Sequence, residues 1–219
     1  MISAPDIESA RVVVLSGGTG GAKLARGLAD VCGERLTVIA NTGDDIEIHG
    51  GHVSPDPDLC AFWLADVIDE RGWGLAGDTF KAMDAIERET GTRPWFALGD
   101  RDLEICVQRA AGLAQGRTLT DTHAELCGEL GLGLAVLPMS DDPVRTVIVS
   151  GERRIGIQEF LISERGQAPI DNIEFEGASG AQPTPQVVEA LDQADLIVIG
   201  PSNPMLSIGL PLLFIALGG

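Results

Sequence analysis

The chain has 219 residues, 44% of them hydrophobic, and carries a formal net charge of −18 from 33 acidic and 15 basic side chains. That length and apolar content suffice for one α/β domain with a full core. The acidic balance excludes nucleic acid and anionic membrane as partners, because both require a basic surface.

Val12 to Leu15 is an unbroken apolar run and predicts a buried strand. It breaks into Ser16-Gly-Gly-Thr-Gly-Gly-Ala-Lys23, and a helix is expected from Lys23 to Val31. Glycines let the backbone approach an anion, and a helix start offers unpaired N–H groups and the positive dipole end. Gly17, Gly18, Thr19, Gly20, Gly21 and Lys23 are therefore assigned to phosphate binding. Lys23 and Lys81 are the two lysines of the chain. The loop has neither P-loop spacing nor the third glycine of the Rossmann fingerprint. Leu36 to Ala40 predicts a second strand, giving a βαβ opening and a parallel sheet. It ends at Asn41, where a dinucleotide-binding protein would place an acid, which counts against a dehydrogenase.

Asn41 to His49 and Ser54-Pro-Asp-Pro-Asp58 bring five carboxylates into one loop and the next helix start. Asp56 is the expected N-cap and Pro57 the first helical residue, ahead of Leu59, Phe62, Trp63 and Val67 at helical spacing. Such acid density repels itself unless neutralised. A magnesium ion held by Asp45 and Asp58 could bridge it to a diphosphate, whereas a solvated acidic face is the alternative. His49 and His52 are read as hydrogen-bonding residues rather than metal ligands.

A further helix is expected from Thr79 to Glu89 after Asp78. Beyond Asp102, Leu103, Cys106, Val107 and Ala110 predict the buried stripe of another. Arg101 sits at its mouth, where its planar fork suits phosphate or an aromatic ring, unless Asp100 and Asp102 form only a capping network. Thr118 to Leu130 predicts a helix and Leu134 to Leu137 a strand. Thr146 to Ser150 and Ile155 to Phe160 predict a hairpin around Gly151-Glu-Arg-Arg154, an insertion spanning 146–160. Gly166 to Pro185 reads as irregular, Gln186 to Gln193 as a helix and Leu196 to Ile199 as a parallel strand. It leads into Pro201-Ser-Asn-Pro204. Pro and Gly interrupt the uncharged stretch from Leu196 to Gly219 too often for a membrane span.

The expected fold is thus α/β: a Rossmann-like, mostly parallel sheet with helices on both faces, a single domain over 1–219 carrying the small hairpin. Ligands of such sheets bind beyond the carboxyl ends of the strands, so the glycine loop, the acidic loop and the Pro-Ser-Asn-Pro turn are expected to share one cleft. The four cysteines have no zinc spacing and read as free thiols, and the N-terminus lacks a signal-like apolar core. The expected location is cytoplasmic.

Seven motifs in order, Ser16-Gly-Gly-Thr-Gly-Gly-Ala-Lys23, Asn41-Thr-Gly-Asp-Asp45, Ser54-Pro-Asp-Pro-Asp58, Arg71-Gly-Trp-Gly74, Gly99-Asp-Arg-Asp102, Leu137-Pro-Met-Ser-Asp-Asp-Pro143 and Gly200-Pro-Ser-Asn-Pro204, resemble the 2-phospho-L-lactate transferase family. The resemblance implies transfer of a phospholactyl or phosphoenolpyruvyl group from a guanosine diphosphate conjugate to the deazaflavin Fo, releasing GMP, in coenzyme F420 biosynthesis. It places guanosine diphosphate on the glycine loop with Ser202 and Asn203, magnesium on Asp45 and Asp58, and Fo against Asp58 and Arg101. Asp45, Asp58 and Arg101 are then the expected catalytic residues, with Mg2+ as cofactor and a homodimer as the expected assembly. Two departures stand out. Glu104-Ile-Cys106 replaces a usual Thr-His pair, and Leu210 to Gly219 replaces a further strand-helix series, so the chain reads as truncated at its C-terminal end. The competing readings are a nucleotide-sugar-binding regulator of the gluconeogenesis-factor type, an NAD(P)-dependent oxidoreductase and an inactive truncated transferase.

Overall fold

A computed structural model describes residues 6–212. In chain order the elements are β1 (Val12–Ser16), α1 (Gly18–Cys32), β2 (Leu36–Ala40), β3 (Ile46–Ile48), β4 (Gly51–Val53), α2 (Pro55–Leu64), α3 (Lys81–Thr90) and α4 (Asp100–Ala114). Then follow α5 (Leu119–Glu129), β5 (Ala135–Pro138), β6 (Arg145–Ser150), β7 (Arg153–Gly156), α6 (Ile157–Ile162), β8 (Asn172–Glu176), α7 (Pro185–Asp192) and β9 (Leu196–Ile199).

The central sheet is parallel, in the order β5-β2-β1-β9, with Val12 opposite both Leu36 and Leu196. Side chains alternate across a strand, so β1 feeds two cores. Val12, Val14 and Val38 pack with Ala22 and Ala25 of α1 and Cys60 and Ala61 of α2. Val13, Leu15 and Ile39 face the opposite way, toward Met139, Val187 of α7 and Leu210. Helices therefore cover both faces, as expected. The four cysteines are free and buried, and burial pushes the Cys60 and Cys127 thiols up to about 12, which keeps them unreactive. Among the described residues no helix is long and apolar enough to cross a membrane.

Several helix starts differ from expectation. Helix α1 begins at Gly18, not Lys23, so the glycine run is itself its first turn. That turn needs glycine at its third residue, because a Cβ on Gly20 would collide with the Pro201 carbonyl. Helix α2 is entered through Ser54 and Pro55 rather than Asp56 and Pro57, and stops at Leu64, short of Val67. That shift places Asp56 and Asp58 inside its first turn, both buried. Helix α3 starts at Lys81 rather than Thr79. Its Lys81 and Ala82 N–H groups donate to the Asp100 carboxylate at 3.0 and 2.9 Å. In return the Arg101 and Asp102 N–H groups of α4 donate to Asp78. The capping network expected around Gly99-Asp-Arg-Asp102 exists, but Asp78 rather than Asp102 is its second member.

The hairpin at 146–160 is corrected in its second half. Strands β6 and β7 pair antiparallel, but 157–160 belong to α6, because Ile157 and Phe160 are both buried at i, i+3 spacing on one helix face. The irregular segment expected over 166–185 contains β8, which pairs with the other edge of β6 and makes a three-stranded antiparallel sheet. The acidic loop contains a hairpin as well. Strands β3 and β4 are joined by His49 and Gly50 at φ 54° and 77°, the two positive angles of a type I′ turn.

Candidate active site

The carboxyl ends of β1 and β2 converge on a buried acidic cluster. Asn41, the residue after β2, donates from Nδ2 to Asp56 Oδ2 at 3.0 Å, and Asp56 Oδ1 accepts the Gly18 N–H at 2.8 Å. Asp56 thus ties the second strand to the glycine turn, and one helix-start N–H that was expected to face phosphate is already engaged. Asp45 accepts the Ser54 hydroxyl at 2.8 Å and lies 3.0 Å from His52 Nε2. His52 Nδ1 is 3.2 Å from Glu47, which pairs with Arg145 at 2.6 Å. Burial raises the Asp44, Asp45 and Asp56 carboxyls above their ordinary value, and Asp44 is raised further by the Asp56 charge. Asp44 Oδ1 is buried with no hydrogen-bond partner.

Asp58 faces a different partner. Both its oxygens are held by the guanidinium of Arg109, with Nη1 to Oδ2 at 3.0 Å and Nη2 to Oδ1. Burial alone would raise this carboxyl, but the Arg109 charge overcomes it and holds the pKa below the ordinary value. The fully buried His123 ring lies 3.6 Å from Oδ1. Asp58 also lines a cavity of about 490 Å³, together with Asp56 and Asp102, and with aromatic walls from Phe62, Trp73 and Trp95.

The structure brings together only part of the expected site. Ser202 donates to the Gly17 carbonyl, so the Pro-Ser-Asn-Pro turn and the glycine turn do meet. Asn203 is spent on its own turn, its Oδ1 accepting the Met205 and Leu206 N–H groups. Thr19 is exposed. The Lys23 ammonium lies 5.2 Å from the Trp63 ring centroid, on the outer side of the α1–α2 pair, because six positions past Gly17 a helix has turned away from its own start. Arg101 is exposed and does not line the cavity, whereas Asp102 does. Sequence reasoning missed Asp56, Asp102 and Arg109 as site residues. For the last two a signal existed, since Asp102, Cys106 and Arg109 share one helical stripe and all are buried, while Val107 of the expected stripe is 43% exposed.

Asp102 leads to a pH prediction. Burial first, then the Asp58 and Asp78 charges, lift its carboxyl from 3.8 to about 7. Between those values the folded chain holds a proton that the unfolded chain has lost, so stability falls as pH rises through this window. In chelator, urea unfolding at pH 5 and pH 8 is expected to show this loss in the parent. Asp102→Asn is expected to gain roughly 1–3 kcal/mol of stability on the parent between pH 5 and pH 8, because most of the window lies between those two values. Equal offsets at both pH values would contradict the argument.

The family profile described as 2-phospho-L-lactate transferase CofD matches residues 12–217. The chain is 40% identical over 213 residues to a phosphoenolpyruvate transferase of Thermobifida fusca, covering 91% of this chain and 66% of that protein. It is 38% identical over 200 residues to a 2-phospho-L-lactate transferase of Methanosarcina mazei, covering 90% and 66%. The chain thus spans just under two thirds of the length of these relatives. Among solved structures, protein BH3568 of Bacillus halodurans has the same fold, with a TM-score of 0.61 at 20% identity over 93% of this chain and 62% of that one. With the profile match running from the first strand through the glycine turn, the acidic cluster and the last strand, the chain belongs to the 2-phospho-L-lactate transferase CofD family.

Proposed function

We propose that this chain transfers a phospholactyl or phosphoenolpyruvyl group from a guanosine diphosphate conjugate to the deazaflavin Fo, releasing GMP, as a step of coenzyme F420 biosynthesis. The observation that carries the reading is the cavity of about 490 Å³, which sets flat aromatic walls beside three carboxylates. Trp73 and Trp95 suit a planar tricyclic acceptor, and such a pocket supplies orientation through a few polar groups. The names of the two relatives agree on the class of reaction, each naming one of the two transferred groups. Guanosine diphosphate is assigned to the seam between the glycine turn and the Pro201-Ser-Asn-Pro204 turn.

The residues present offer oxygen to a hard cation: Asp44 Oδ1, next to Asp45 in sequence, is buried and unpartnered, and Asp58 lies with Asp102 and Cys106 in a buried group whose ligand atoms are all within 4.8 Å of one another. Asp45 and Asp58 are the proposed holders of magnesium, which when bound supplies positive charge against the diphosphate. The rest falls to the protein. The aromatic walls orient the acceptor so that its terminal ribityl hydroxyl approaches the distal phosphorus in line. As the oxygen–phosphorus bond forms and the bond to GMP breaks, Asp102, whose carboxyl lines the same cavity, accepts the hydroxyl proton.

The test is direct incubation with Fo, magnesium and each donor, read by mass spectrometry. Phospho-linked product and GMP are expected in equal amounts, with Asp45→Asn slowing turnover by about 100-fold or more. A folded parent chain that forms no product with either donor overturns the reading.

A further inference from the structure

The proposed cation ligands sit on separate elements, Asp45 just before β3 and Asp58 in α2, and they have different side-chain partners, His52 and Ser54 for Asp45 and Arg109 for Asp58. One side chain from a third element reaches both segments. Arg109, on α4 and 3% exposed, grips both Asp58 oxygens and also donates from Nη1 to the His52 carbonyl at 3.0 Å. His52 is in β4, and its ring stands 3.0 Å from Asp45. The guanidinium is therefore a side-chain link between the two carboxylates, directly to Asp58 and through one backbone group and one imidazole to Asp45; it adds to Ser54, whose hydroxyl donates to Asp45 and whose carbonyl accepts the Asp58 N–H at 3.1 Å. We propose that Arg109 is a positioning residue that sets the spacing of Asp45 and Asp58 for the cation, without touching substrate or metal itself.

The geometry favours this over a merely stabilising ion pair. Each carboxylate oxygen carries two acceptor sites, and the fork uses one on each, so Asp58 keeps capacity toward the cavity it lines. Arginine is also the side chain able to hold a carboxylate with two parallel bonds while a remaining donor serves a carbonyl. A lysine at this position would keep the charge and lose the fork. Outer partners of metal ligands typically change metal affinity by about 10–100-fold when removed.

The inference rests on Asp45 and Asp58 being cation ligands, and the experiment separates the two claims. Mn2+ binding to the full chain, with no substrate present, is followed by electron paramagnetic resonance for the parent, Arg109→Lys, Asp45→Asn and the double variant, with circular dichroism confirming fold. Arg109→Lys is expected to weaken Mn2+ binding about tenfold, and to add little further loss once Asp45 is Asn. Residue 109 does not contact residue 45, so two independent effects would simply add. Full additivity, or parent-like affinity in a folded Arg109→Lys chain, overturns the positioning role and leaves the ligand assignment intact. A parent chain that binds no Mn2+ overturns the ligand assignment and this inference with it. Arg109→Gln, which keeps a donor for the His52 carbonyl, serves as second variant. Failure of both variants to fold assigns Arg109 to folding alone and likewise overturns the inference.

Discussion

Arg109→Met, with Asp58 left in place, is expected to lose about 3–5 kcal/mol of stability, enough to unfold many single domains. The cost does not come from the value of the ion pair, which is offset by the desolvation of both partners. It comes from stranding a carboxylate that is 4% exposed, beside the fully buried His123, with its two bonds removed. The same argument predicts that Asp58→Leu combined with Arg109→Met recovers most of the loss, because no buried charge is then left unpaired. Urea unfolding of the parent, the single variant and the double variant checks this, with m-values confirming that one transition is compared throughout. If the double variant is as unstable as the single, the loss is one of packing volume and the electrostatic explanation fails.

Gly20→Val is the second substitution with a large expected effect. A Cβ at this position would overlap the Pro201 carbonyl oxygen, and would sit 3.1 Å from the carbonyl carbon. The obstacle is backbone, so no rotamer change relieves it. Either the start of α1 or the turn after β9 must move, at a cost of about 1–3 kcal/mol or more. Because that seam is the proposed guanosine diphosphate site, GDP affinity measured by calorimetry is expected to fall at least about tenfold. Gly27 supplies the control. It lies in the same helix, and a Cβ added there would meet nothing within 4 Å, so Gly27→Ala is expected to stabilise by about 0.5–1 kcal/mol and leave GDP binding unchanged. Parent-like GDP binding by Gly20→Val would move the nucleotide away from this seam.

Much of the architecture is legible in the sequence because it is local. The strands at 12–15, 36–40 and 196–199 announce themselves as short β-branched runs, and their parallel pairing follows from the helices between them. A signal for the hairpin of β3 and β4 is present too, in the alternation of Ile46, Glu47 and Ile48 before His49-Gly50, but acid density there draws attention to charge instead of period. The α4 stripe misleads in the opposite way. Counting only apolar residues points to Leu103, Cys106, Val107 and Ala110, whereas the buried line runs through Asp102, Cys106 and Arg109. Polar side chains are buried when a partner exists, and the partner lies on another element.

The candidate site shows the same division. Sequence alone determined that a glycine turn follows the first strand, that an acidic segment follows the second, and that a Pro-Ser-Asn-Pro turn follows the last, since these depend on the conformational freedom of a few consecutive residues and on strand order. Only the tertiary structure decided the partners. It sends Lys23 to Trp63 instead of the glycine turn, exchanges the caps of α3 and α4 between Asp100 and Asp78, and joins Asp58 to an arginine 51 residues away. A charge carries no mark of its partner in the local sequence. Which carboxylate is neutralised, and which stays available to a cation, is set by the packing of helices against the sheet.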